Sequence, residues 1–178
     1  MKKRKMLDFF WRISSCHIVS YFIMGILALI ILNYKERYGT GSLALFMRPT
    51  HSPWVALGPS LQIVRAFIFT VVLWPLKNVF IEKDKGWLKL WGLFIGLAIL
   101  GTSGPTPGSF EGIVYTKISI VEHLLSLPEI IIQTLLFSLG VFYWYKNPNK
   151  IWDIVMSILV LLIGLMSMSG FLLASNLL

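Results

Sequence analysis

Charge is scarce in this chain. Lys, Arg, Asp and Glu make up 13% of its 178 residues, about half the share found in a soluble globular domain. With 56% hydrophobic residues, the chain lacks the polar surface to face water, and lipid must be its solvent. Cysteine is nearly absent. Cys16 stands alone, which excludes an intramolecular disulfide and any CxxC or Cys/His metal motif. No HExxH, no G-x-S-x-G and no phosphate-cradling glycine loop occurs, so no metal and no cofactor is expected.

What is present is a series of apolar runs. Counted in lengths of about 20 residues, as a bilayer requires, they give five spans in a single transmembrane domain over 1–178. The spans cover residues 13–34, 59–81, 87–103, 126–146 and 151–174. The expected fold is an all-α, polytopic helical bundle. The basic N-terminus, MKKRKMLDFFWR, precedes a 22-residue run with no A-x-A site after it, and is expected to be an uncleaved anchor rather than a signal peptide.

The net charge of +8 would point to nucleic acid in a soluble protein. Here its distribution matters more. With the N-terminus inside, eleven of the sixteen Lys and Arg residues fall on inner segments and four on outer ones. That bias predicts N-in, C-out insertion in the cell membrane. Trp and Tyr at positions 11, 34, 54, 74, 87, 91, 143, 144, 145 and 152 lie near span ends, as interfacial aromatic belts do. The inner connections, EKDKG and NPNK, are short. The outer ones, 35–58 and 104–125, are long and partly apolar. Segments of that kind fold onto something, here as interfacial or re-entrant helices.

A few polar residues stand inside the spans. Ser126-Leu127-Pro128-Glu129 matches a capping box with Pro in the first turn, which accounts for Glu129 but not for Gln133. Gln62 and Arg65 are three residues apart and share a helix face. From a helix start at Pro59, Arg65 lies roughly 9 Å along the axis, and Glu129 lies roughly 4 Å into its own span. An Arg65–Glu129 pair braced by Gln62 and Gln133 is therefore expected, since charges within spans seek partners. If the helix ran on through Pro128, Glu122, Ser126, Glu129 and Gln133 would form one polar stripe. The break at Pro128 is the expectation.

The outer loops add Arg48 and His51 in MRPTHSPW, Glu111 and Tyr115 in PTPGSFEGIVYT, and Glu122 with His123 beyond them. Arginine suits phosphate or carboxylate through its planar fork. His and Glu suit proton transfer near neutral pH. Candidate binding residues are Arg48, Arg65, Gln62, Tyr115 and Gln133. Candidate catalytic residues are Glu111, His51, His123 and Glu129. The Gly92-x-x-x-Gly96 face allows close helix approach.

The function expected first is that of a non-enzymatic multi-pass membrane subunit. It assembles with itself, as a homo-oligomer, or with a partner membrane subunit. It sits in membrane lipid, takes no nucleic acid, and carries an outward-facing polar, anion-binding cluster. The alternatives are an outer-leaflet membrane enzyme acting on a lipid-linked or anionic substrate, and a small transporter or ion path. The last requires ionisable groups near the midplane and broken helices.

Overall fold

The computed structural model describes residues 2–101 and 104–176. All the secondary structure among the described residues is helical. The elements are α1 (Lys2–Ile31), α2 (Tyr34–Arg37), a 3-10 turn (Leu43–Leu45), α3 (Pro53–Phe80), α4 (Gly86–Leu100), α5 (Phe110–Tyr115), α6 (Ile120–Lys146) and α7 (Lys150–Ala174). Four of them, α1, α3, α6 and α7, are long and apolar enough to cross a membrane, with mean hydropathies of 2.0, 1.7, 1.8 and 2.4. The helix at the third expected span has 15 residues, about 22 Å against a hydrocarbon core of about 30 Å. Thr102 and Ser103, at the end of that span, and Met1, Leu177 and Leu178, at the ends of the expected domain, lie outside the described residues.

Three helix starts differ from the sequence expectation: α1 begins at Lys2, eleven residues before its expected span, and α3 and α6 each begin six residues early. α3 begins at Pro53, with Pro59 and Pro75 both inside it. Proline suits the first position of a helix, where its missing N–H has no intrahelical partner anyway, and Pro53 occupies that position. α6 begins at Ile120 and runs through Pro128 without a break. Its cap is Ser119, whose hydroxyl accepts the Glu122 N–H at 3.3 Å. The S-x-x-E signature that starts the helix is thus Ser119 to Glu122, upstream of the Ser126 box by two helical turns. Ser126 instead donates to the Glu122 carbonyl at 2.8 Å.

Contacts at the two ends fix the directions of the helices. At one end, Phe9 of α1 packs on Trp74 of α3 and Tyr145 of α6, with ring centres 5.5 and 6.0 Å apart. Lys146 donates to the Glu82 carbonyl at 2.7 Å, and the Trp144 indole donates to Asp153 of α7 at 3.0 Å. At the other end, Tyr34 meets Glu129 and Ser167 of α7 donates to the Ala56 carbonyl at 2.7 Å. α1 and α7 therefore run one way, and α3 and α6 the other. α4 returns the chain from the Glu82 end toward Ser109, where Gly101, in the left-handed conformation at φ 69°, closes it.

α1 is the central post. Half of its apolar window is buried inside the protein, against 17%, 22% and 17% for α3, α6 and α7. Ser14, Ser15, Cys16 and Ser20 are buried around it. Small side chains allow close helix approach in lipid, and Cys16 lies against α6. A methyl on Gly140 would sit 3.2 Å from the Cys16 sulfur. Some of the aromatics expected at interfaces face into the bundle. Tyr34 and Trp144 are 8% and 4% exposed, and Trp91 donates to the Ile131 carbonyl at 3.1 Å. Each is turned inward because its polar tip has a partner inside the bundle.

Candidate functional site

A line of polar groups begins where α1, α2 and α6 meet. The chain leaves α1 through Asn33 in the left-handed conformation and re-forms a short helix that carries Tyr34 and Arg37 toward α6. Arg37 donates to one oxygen of Glu122 through Nε at 2.8 Å and through Nη2, and its guanidinium lies 5.3 Å from the Tyr34 ring centre. The Tyr34 hydroxyl donates to Glu129. Tyr38 stacks on Tyr34, with ring centres 4.5 Å apart. Burial raises both phenols above the ordinary tyrosine range, and the Glu129 carboxylate adds to the effect. Tyr38 is pushed up to about 12, and Tyr34 is raised as well.

Deeper in the bundle, Gln62 bridges α3 to α1. Its amide nitrogen donates to the Gly58 carbonyl at 3.2 Å, so its oxygen faces His17. The 3.1 Å contact between that oxygen and His17 Nε2 makes the imidazole the donor. The His17 ring lies edge-on to Phe69 and Phe137, at 5.0 and 5.6 Å.

Beside this pair is a cavity of about 370 Å³, lined by His17, Arg65, Phe69, Phe94, Leu97, Ala98, Ile130, Gln133, Thr134 and Phe137. Thr134 is already engaged, donating to the Ile130 carbonyl at 2.7 Å. Among the described residues Arg65 makes neither an ion pair nor a hydrogen bond; the ion pairs there are Arg37–Glu122 and Lys77–Glu82. A guanidinium in these surroundings can grip a carboxylate or phosphate through its fork. Among the described residues no three metal-binding side chains converge.

The expected Arg65–Glu129 pair does not form. Tyr34 takes Glu129 first, brought to it by α2, an element that the apolar pattern does not signal. Arg65 also lies farther along its helix than expected, because α3 starts at Pro53. It is about 18 Å along the helix, near the middle of its 28 residues. Gln62, Arg65 and Gln133 do gather at or beside the cavity, and the stripe Glu122, Ser126, Glu129, Gln133 exists because α6 passes through Pro128.

The other candidates scatter. Arg48 lies over the Trp54 ring at 5.9 Å, His51 is exposed, and Tyr115 is 74% exposed. Glu111 is half-buried in the first turn of α5. His123 is buried and accepts the Gly108 N–H at 3.0 Å, which anchors the α5 loop. Among the described residues no hydrogen bond joins any two of Glu111, His51, His123 and Glu129. The residues that sequence reasoning missed are His17, Tyr34, Arg37 and Tyr38. The last three have a signal, since they fall at helical spacing from the last residue of the first apolar run onward; His17 has none.

A second cavity, of about 360 Å³, opens at the opposite end among Lys5, Asp8, Arg12, Lys77, Glu82 and Tyr145. Part of its charge is satisfied internally. Lys77 donates to Glu82 at 2.5 Å and Tyr145 donates to the same oxygen at 3.0 Å, which holds the Glu82 carboxyl below its ordinary range.

Comparison with protein-family models, curated proteins and solved structures finds no match.

Proposed function

We propose that this chain is a non-enzymatic multi-pass membrane subunit that binds an oxyanion at Arg65. The observation that carries the reading is the state of that arginine. It stands mid-helix in an apolar segment, on a cavity wall, with no carboxylate paired to it among the described residues. A cation at such a depth is unfavourable by about 2.5–3.5 kcal/mol, and intramembrane charges are kept where they have a partner or a task. The enzyme reading loses support, because among the described residues no hydrogen bond couples its acid–base candidates.

In this reading the chain crosses the cell membrane five times, with the N-terminus in the cytoplasm. α4 is the short fifth crossing, and the Tyr34–Glu129 cluster lies toward the outer side. The excess of Lys and Arg at the Glu82 end supports that orientation,. Methyl groups added at Gly92, Gly96 and Gly164 would meet nothing within 4 Å. These small faces are unused within the chain and suit a second copy or a partner subunit. A path across the bundle is the second reading, favoured by the mid-helix position of Arg65 and by the polar line from Glu122 to His17.

Native mass spectrometry after mild detergent extraction tests the proposal. The expected result is an anionic adduct on the wild-type chain, lost in Arg65→Ala and kept in Arg48→Ala. A bare wild-type mass, or an adduct that survives Arg65→Ala, overturns it.

A further inference from the structure

We infer that the Arg65 cavity takes an amphiphile, an oxyanion head on an apolar tail, and admits it sideways from the bilayer between α3 and α4. The inference rests on the oxyanion reading above and adds the class and the route of the ligand. Its first support is the division of the cavity wall. His17 is engaged by Gln62 and Thr134 by the Ile130 carbonyl, which leaves Arg65 and Gln133 as the free donors. The facing wall is Phe94, Leu97 and Ala98 of α4. A free anion would leave that wall without apolar contact, whereas an acyl chain would fill it.

The second support is where the cavity opens. α3 and α4 meet through Phe69 and Phe94, whose rings are 4.9 Å apart. Beyond that contact, Arg65 of α3 and Leu97 of α4 line the same cavity and are both exposed, Leu97 at 44%. The flank between them lies along an apolar, membrane-length helix. A solute dissolved in lipid therefore reaches Arg65 directly, and a water-borne anion does not. The head chemistry is shared by a fatty carboxylate and a lipid phosphate monoester, and also by free phosphate, so the probes must separate head from tail.

The test is ligand-induced thermal stabilisation of the full chain in mild detergent, titrated with dioctanoyl phosphatidic acid, dioctanoyl phosphatidylcholine or inorganic phosphate. Phosphatidic acid is expected to stabilise the wild type, and the other two to do little. Arg65→Gln should weaken the response at least about tenfold, the loss expected on removing a charge-assisted hydrogen bond. Ala98→Trp, which keeps Arg65 but fills the tail side, should abolish it. Inorganic phosphate acting as strongly as phosphatidic acid, and lost in Arg65→Gln, overturns the amphiphile class while keeping the oxyanion reading. No response that depends on Arg65 overturns both. A phosphatidic acid response that survives Ala98→Trp overturns the route.

Discussion

Glu129 shows how a single acid is kept in an apolar helix. Its carboxylate takes the Tyr34 hydroxyl, and Tyr34 is fixed by stacking on Tyr38 and by the Arg37 guanidinium over its ring. Removing the phenol leaves a half-buried carboxylate without its donor, the costly side of a hydrogen-bond deletion. Tyr34→Phe is therefore expected to lower stability by about 1–3 kcal/mol, read as thermal unfolding in detergent. Adding Glu129→Gln to Tyr34→Phe should recover part of the loss, because an uncharged amide is easier to leave unpartnered in the bundle than a carboxylate. Equal losses in the single and double variants would show that the pair is not coupled. The phenols also set an alkaline limit. Tyr38 rises from 10.0 to about 12 on folding, so the folded state favours its neutral form. That stabilisation is complete below pH 10 and disappears as pH climbs toward 12. Unfolding temperatures should fall across this window, less steeply in Tyr38→Phe. An identical slope in that variant would assign the limit to other groups.

At the scale of elements, α5 depends on a close approach that only glycine permits. The Gly112 N–H is held by the Ser109 hydroxyl at 2.9 Å. A methyl at Gly112 would lie 2.1 Å from the Thr106 carbonyl oxygen and 2.7 Å from His123 Cε1. Gly112→Ala should therefore be destabilising by about 1–3 kcal/mol, as overpacking is. It should speed hydrogen exchange over residues 104–116 while leaving α1, α3 and α7 protected. Unchanged exchange there would mean the loop is not anchored through His123. The same region shows what the sequence made legible. Apolar run length located the four long helices. Their starts moved because Pro59 and Pro128, readable as first-turn residues, sit inside helices, and because two S-x-x-E signatures compete seven residues apart. Helical spacing put Gln62 with Arg65, and Glu129 with Gln133. It had no means of joining Tyr34 to Glu129, 95 residues away, or His17 to Gln62, 45 residues away, since tertiary pairing between spans leaves no periodic trace.

For the whole molecule the deciding question is how α4 carries the chain. α3 ends beside Glu82, α6 begins near His123, and only α4 and its loops connect the two ends. At about 22 Å it falls roughly 8 Å short of the hydrocarbon core. Bilayers accommodate such a deficit by local thinning and by snorkelling of flanking side chains, each at modest cost per ångström. Lys85 and Lys89 flank the start of α4 and can reach outward in this way. A full crossing puts the two connections on opposite faces of the membrane. In a Cys16→Ser background, a membrane-impermeant maleimide applied to intact cells is expected to label Lys117→Cys at once. Lys83→Cys should react only after permeabilisation. Both native lysines are exposed, so access to solvent does not separate them and the membrane does. Equal labelling of the two, whether both from outside or both only after permeabilisation, would make α4 a helix that enters and leaves one face. The chain would then cross four times, α6 would run with α1 and α7 against it, and the shared orientation of α1 and α7 within the bundle could not be kept in a bilayer. In the five-crossing reading the contacts of Trp144 with Arg12 and Asp153, which hold α1, α6 and α7 together at one end, stay on one face of the membrane.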